Sequence, residues 1–219
     1  MPKQESLQQV KVVKLDRIGP NGYLLTTIRP FEFTPGQVVK LTTDKTIAPR
    51  LYSIASGSSE ATLKFLFDLK SEGELTPKLL LLQPGDTVWM SEPFGEFVCD
   101  ENPAVWVASG TGIAPFLSMA LSGNIHNKKL IHGVRYAENF FFHEEMRELL
   151  HDDYIQCLSG EARNGTFHGR VTDFLKQDEA LSLNIKYYLC GNPEMVVDAR
   201  DILLARGVIY DNIHAEIYF

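Results

Sequence analysis

The sequence predicts two domains, an N-terminal antiparallel β-barrel followed by an α/β domain built on a parallel sheet. Two observations carry this. Residues up to about 100 read as short apolar runs broken by Pro and Gly, the pattern of a barrel or sandwich. Beyond "CDENPA", apolar strands alternate with helical stretches four times, and right-handed crossovers turn such an alternation into a parallel sheet. The 219 residues are enough for two small cores, so the domains are set at 1–100 and 101–219.

Each element has its own signal. In the first half the strands are "VKVVKLDRI", "YLLTTIRP" after the turn "GPNG", "QVVKLTT" after "FTPG", then "RLYSIAS" and "ATLKFLFDL". A helical segment around "ELTPKLLLLQ" interrupts them, and "QPGDTVWMSEPFGEF" returns to turn and strand. In the second half, strands are expected at 104–108, 129–134, 154–158 and 186–190. Helices are expected at 114–122, 142–150, 170–176 and 194–206. Ligands of such sheets bind beyond the carboxyl ends of the strands, where Gly110, Gly112, Cys190 and Gly191 fall.

Composition narrows the function. The formal net charge is −7. Residues 1–100 carry 11 Lys and Arg against 12 Asp and Glu, and residues 101–219 carry 10 against 16. No basic stripe with interleaved aromatics relieves that acidity, which argues against nucleic acid as a partner. No apolar stretch approaches membrane-spanning length. The polar start "MPKQES" lacks the apolar segment of a secretory signal, so a cytoplasmic location is expected. Three widely spaced cysteines suit neither a disulfide framework nor an iron–sulfur cluster. The six histidines show no metal-ligand spacing, and "HEEMRE" reads as an exposed helix start.

Two motifs carry chemistry. In "VASGTGIAPF" a buried strand meets Gly-Thr-Gly and then a helix N-terminus, a geometry that offers backbone N–H groups and a positive dipole end to a phosphate. A tight strand-to-helix turn without a ligand has the same sequence. In "RLYS" an arginine suits a diphosphate, a tyrosine suits stacking on a planar ring, and a serine hydroxyl can reach a ring nitrogen. A surface strand with a snorkelling arginine is the plainer alternative.

The order of R-x-Y-S, G-x-x-T (Gly73, Glu74, Leu75, Thr76), G-T-G-I-A-P-F, C-G-N-P (Cys190 to Pro193) and a terminal E-I-Y-F resembles the ferredoxin-NADP reductase family from end to end. Within it the chain is most similar to the bacterial ferredoxin/flavodoxin reductases. The resemblance implies that Arg50, Leu51, Tyr52, Ser53, Gly73, Glu74, Leu75 and Thr76 hold FAD, with Tyr218 and Phe219 covering it. Gly73, Leu75 and Thr76 would present N–H groups and a hydroxyl to its pyrophosphate. The resemblance further implies an NADP site made by Gly110, Thr111, Gly112, Pro115, Arg135, Ser159, Arg163, Arg170, Cys190, Gly191 and Met195. Ser53, Cys190, Glu216 and Tyr218 would surround the reacting centre.

One departure concerns the coenzyme. Relatives carry Ser-Arg or Thr-Arg after the third strand, where this chain has Leu158-Ser159-Gly160-Glu161. Arg163 and Arg170 remain, so NADP is favoured and NAD stays open, with Glu161 expected to repel a 2′-phosphate. The implied function is hydride transfer between NADPH and FAD, with single electrons passing to or from a separate ferredoxin or flavodoxin. A flavin reductase or an oxygenase reductase component is the alternative enzyme, and a flavin-binding regulatory subunit the alternative that is not one.

Overall fold

The computed structural model describes residues 6–217. Tyr218 and Phe219, assigned above to the flavin, lie outside the described residues.

Six strands form the first sheet: β1 (Gln8–Arg17), β2 (Gly22–Ile28), β3 (Val38–Thr42), β4 (Arg50–Ser53), β5 (Thr62–Asp68) and β6 (Thr87–Met90). Every pairing is antiparallel, in the order β4-β3-β6-β1-β2-β5. A bridge between Ile54 and Phe65 joins the two end strands and nearly closes the barrel. Alternating residues of β1 point inward, so Val10 and Val12 join Leu25, Val39, Leu63 and Val88 in its core. The helix read at "ELTPKLLLLQ" is only α1 (Thr76–Leu79). Pro77 fits its first turn, whereas Pro84 disfavours helix at Gln83 and, with Gly85, ends the segment in a turn. Leu81 is consequently left 76% exposed.

The second sheet is wholly parallel, in the order β10-β9-β8-β7-β11-β12. Its strands are β7 (Ala104–Ser109), β8 (Lys128–Val134), β9 (Tyr154–Leu158), β10 (Phe167–His168), β11 (Lys186–Cys190) and β12 (Ile213–Glu216). The helices are α2 (Ala114–Leu121), α3 (His143–Leu150), α4 (Val171–Gln177) and α5 (Pro193–Ala205), close to the expected spans. Both edge strands were absent from the sequence reading. Glu216 therefore ends a strand in register with Cys190 of β11 instead of lying in a tail. The direction of winding reverses between β7 and β11, and their carboxyl ends form the crevice of the sheet.

The two sheets share one core. Leu24, Ala55, Leu66 and Phe97 of the first half pack with Trp106, Phe116, Met119 and Tyr188 of the second. Phe97 sits 5.7 Å from Phe116 and edge-on at 5.5 Å from Tyr188. Across the same boundary Ser118 Oγ donates to the Ser56 carbonyl at 2.7 Å, and Ser58 N donates to Ser122 Oγ at 2.8 Å. Phe141, nearly fully buried, rests on the β1–β2 turn, where a Cβ on Gly22 would come within 2.3 Å of its ring and one on Gly19 within 2.7 Å. A buried apolar interface of this kind holds two domains as one body. No described helix is long and apolar enough to cross a membrane.

Candidate active site

A cavity of about 930 Å³ opens between the barrel and the carboxyl ends of the parallel strands. On the barrel side it is lined by β4, from Arg50 through Leu51 and Tyr52 to Ser53, and by Gly73, Glu74, Leu75 and Thr76. Pairing with β3 sets Ser53 opposite Val38 and Tyr52 opposite Val39, and leaves Arg50 exposed at the rim. Tyr52 meets Phe67 edge-on at 6.3 Å. Burial pushes its phenol up to about 12, so it remains neutral. Ser53 is 6% exposed.

The Gly73–Thr76 turn carries hydrogen bonds of its own. The Thr76 hydroxyl accepts from Lys70 N at 2.9 Å and donates to Lys70 O at 3.1 Å. Gly73 N also donates to Lys70 O. Those bonds close the 70–76 turn, which lines the cavity. The cationic character of this rim comes from Arg50 and Lys70.

On the other side lie Gly110, Thr111 and Gly112, wound as a 3₁₀ turn that runs into α2. Their glycines answer different demands. Gly110 has φ +53° and faces open space, with nothing within 4 Å of a Cβ placed there. Gly112 is packed against the next loop, where its Cβ would fall 2.2 Å from the Cys190 carbonyl oxygen. Gly191, at φ +139°, fits against Ser109 in turn. Ser109 Oγ accepts from Asn192 N at 2.9 Å, and the Asn192 side chain caps α5 through Glu194 N and Met195 N. Backbone packed on backbone fixes this crevice.

Cys190, 1% exposed, lines the cavity beside Gly191 and Met195. Burial, and then the charge of Glu216, pushes its thiol well above the usual range. It is therefore a thiol and not a thiolate nucleophile. Glu216 is beside it on β12, and a Cβ on Gly95 of the barrel half would stand 3.8 Å from its Oε1. The structure thus brings together the Cys190 and Glu216 that lie far apart in sequence.

Arg135, Ser159 and Arg170 line the far end. A Cβ on Gly160 would lie 2.5 Å from the Arg135 carbonyl oxygen, so the backbone leaves no room for a side chain there. The Glu161 carboxylate accepts from Ala137 N at 2.7 Å. Pro115 and Arg163, assigned to the nucleotide above, do not line the cavity. Pro115 is buried in the first turn of α2, and Arg163 is in the exposed 159–166 loop. Sequence reasoning missed Asp68, Asn139 and Phe141, which do line it. Burial raises the Asp68 carboxyl.

The model of the oxidoreductase NAD-binding domain matches residues 106–201. The flavodoxin/ferredoxin–NADP reductase of Escherichia coli K12 is 32% identical over 215 residues, covering 87% of each chain. The chain belongs to the flavodoxin/ferredoxin–NADP reductase family. The reductase of that name from Buchnera aphidicola is 31% identical, over 89% of this chain and 88% of its own. The ferredoxin NADP+ reductase of Neisseria gonorrhoeae, solved with bound FAD and NADP, superposes with a TM-score of 0.87 at 24% identity, covering 97% of this chain and 99% of that one. Likeness extends beyond these reductases: the reductase component of propane 2-monooxygenase from Mycolicibacterium goodii is 31% identical over 84% of this chain, which spans 58% of it.

Proposed function

We propose that the protein binds FAD and a nicotinamide nucleotide in the one cavity and carries electrons between NADPH and a separate ferredoxin or flavodoxin. The observation that carries this reading is the single cavity itself, onto which both the Arg50–Ser53 strand and the Gly110–Gly112 turn open. Its size, the cationic rim at Arg50 and the open space beside Gly110 fit two bound dinucleotides meeting near Cys190. FAD, when bound, supplies the chemistry of taking a hydride and releasing electrons singly.

The chain's own residues orient and shield. Arg50 would hold the flavin's pyrophosphate, Tyr52 would pack on its ring, and Ser53 Oγ would hydrogen-bond to a ring nitrogen. Gly110, Thr111 and Gly112 would take the nucleotide's pyrophosphate, with Arg135, Ser159 and Arg170 at its adenosine end. Cys190 as a neutral thiol packs where the two rings meet, and Glu216 balances positive charge there. The division near residue 100, with the flavin on the barrel and the nucleotide on the parallel sheet, belongs to this reading. The free cysteines, two of them buried, suit a reducing cytoplasm.

A second reading, an NADH-dependent reductase component, draws support from Gly160, where the backbone admits no arginine side chain. Anaerobic titration of the purified protein with NADPH and then NADH, followed by flavin absorbance, decides between them. Faster, tighter reduction by NADPH is expected. Reduction by NADH alone favours the second reading, and bound flavin reduced by neither removes both.

A further inference from the structure

His132 belongs to no part of the site described so far, yet its side chain reaches that site from beneath. It is a middle residue of β8, fully buried, and paired in register with Ala108 of β7. Its two ring nitrogens meet different partners: Nδ1 is 3.0 Å from the Tyr154 hydroxyl, and Nε2 is 3.3 Å from the carbonyl oxygen of Gly110. A carbonyl can only accept, so Nε2 carries the proton and Nδ1 accepts from Tyr154. Tyr154 thereby selects the tautomer that bonds the loop. Phe140, edge-on at 5.2 Å, and Tyr154, stacked at 6.2 Å, hold the ring in place.

The Gly110 carbonyl belongs to the peptide that precedes Thr111. In a planar trans peptide the C=O and the following N–H point in opposite directions. With the carbonyl drawn inward to His132, the Thr111 N–H faces away from the sheet, toward the cavity that Thr111 lines. Gly110 needs this restraint more than another residue would: its φ is left-handed and no side chain or neighbouring loop packs where its Cβ would be, so beyond the hydrogen bonds of the 3₁₀ turn itself the imidazole is the side chain that holds this peptide. We infer that His132, set in its tautomer by Tyr154, is a positioning residue that fixes the Gly110–Thr111 peptide for recognition of the nucleotide's pyrophosphate. The inference rests on the reading of the 110–112 turn as that pyrophosphate site. Burial pulls the imidazole down to about 4, so it stays neutral and keeps this tautomer at physiological pH.

The test uses the full chain with its flavin, labelled with ¹⁵N, and compares His132→Leu, which fills the space without a donor, with His132→Gln, whose amide can still donate to Gly110. The amide resonances of Gly110, Thr111 and Gly112 are read directly. NADP+ affinity is read from the flavin difference spectrum, and KM and kcat from steady-state reduction. His132→Leu is expected to move those resonances and to raise the NADP+ Kd and NADPH KM about three- to tenfold, the scale of one lost hydrogen bond. Flavin retention stays constant and kcat stays within about twofold, the pattern of lost uniform binding. His132→Gln should restore most of the affinity. Tyr154→Phe, which leaves the imidazole in place and frees its tautomer, should shift both readouts the same way by less, and it serves if the leucine variant does not fold. Unchanged loop resonances in both His132→Leu and Tyr154→Phe overturn the inference and leave the pyrophosphate reading standing. Moved resonances with unchanged NADP+ affinity overturn that reading and the inference with it. Equal losses in the leucine and glutamine variants make His132 a space-filler and also overturn it.

Discussion

Gly22→Ala isolates the contact by which the two halves grip each other. Gly22 has no left-handed backbone to protect, so the substitution acts through space alone. The new Cβ would stand 2.3 and 2.4 Å from Cε1 and Cζ of Phe141. Carbon atoms at rest are about 3.5–4.0 Å apart, so the ring must retreat by about 1.2 Å or more. Phe141 is 3% exposed within the shared core, where such overpacking costs about 1–3 kcal/mol. For a chain of 219 residues, about 2–4 °C per kcal/mol gives a fall in Tm of about 2–12 °C. Phe141→Ala alone should cost about 3–5 kcal/mol through the cavity it leaves. The two changes together should cost less than their sum by the whole overpacking term, since the added methyl enters space the ring has vacated. Thermal melts of the wild type, both single variants and the double variant measure this. Additivity within about 0.5 kcal/mol would show that Gly22 and Phe141 do not touch, and would refute the reasoning.

Three further outcomes are expected. Cys190→Ala and Glu216→Gln should each slow hydride transfer, read by stopped flow, about ten- to a thousandfold, or about 1.4–4 kcal/mol, while leaving flavin bound; wild-type rates in both would remove them from the mechanism. Stability should fall on acidification in a way that depends on His132: its native pKa of about 4 lies below the ordinary 6.5, so the unfolded chain takes up the proton first. That contribution is complete above about pH 6.5 and is lost toward pH 4, up to about 3 kcal/mol. Tyr154, raised by burial, stays neutral throughout, and the nearby His143 further disfavours the imidazolium. Denaturation midpoints for wild type and His132→Gln should therefore diverge between pH 7 and 4.5, and parallel profiles would contradict the assignment. Flavin released by denaturation should run as FAD on chromatography; FMN would leave the two-ended cavity without its second phosphate.

Most of the scaffold was legible because it is written in local pattern. The apolar runs of β7, β8, β9 and β11 and the helices between them repeat at the periods that burial on a parallel sheet imposes. What escaped depends on partners distant in sequence. Phe167–His168 and Ile213–Glu216 have no strand pattern, and become strands only through pairing with β9 and β11. The glycines of the site were legible as glycines, and the structure adds a cause beside the expected approach of a phosphate: Gly112 and Gly191 are also demanded by contact between two loops. The bonds of the Thr76 hydroxyl to Lys70, which close a local turn, could not be read from the G-x-x-T motif. For His132 the one available signal was a polar ring inside the apolar strand "KLIHGV".

The shared core also constrains how such a protein can be recombined. A chimera that keeps this barrel and borrows the nucleotide-binding half of another reductase inherits Gly19 and Gly22 facing a residue that was not selected to fill them. It also inherits Leu24, Leu66 and Phe97 facing a foreign surface. A crossover at residue 100 cuts the chain where few residues are ordered into strands or helices but leaves the packing mismatched. Exchanging coenzyme preference is better sought at the exposed positions after β9 and at Arg135, which line the cavity, leaving in place Phe141, which the halves bury between them.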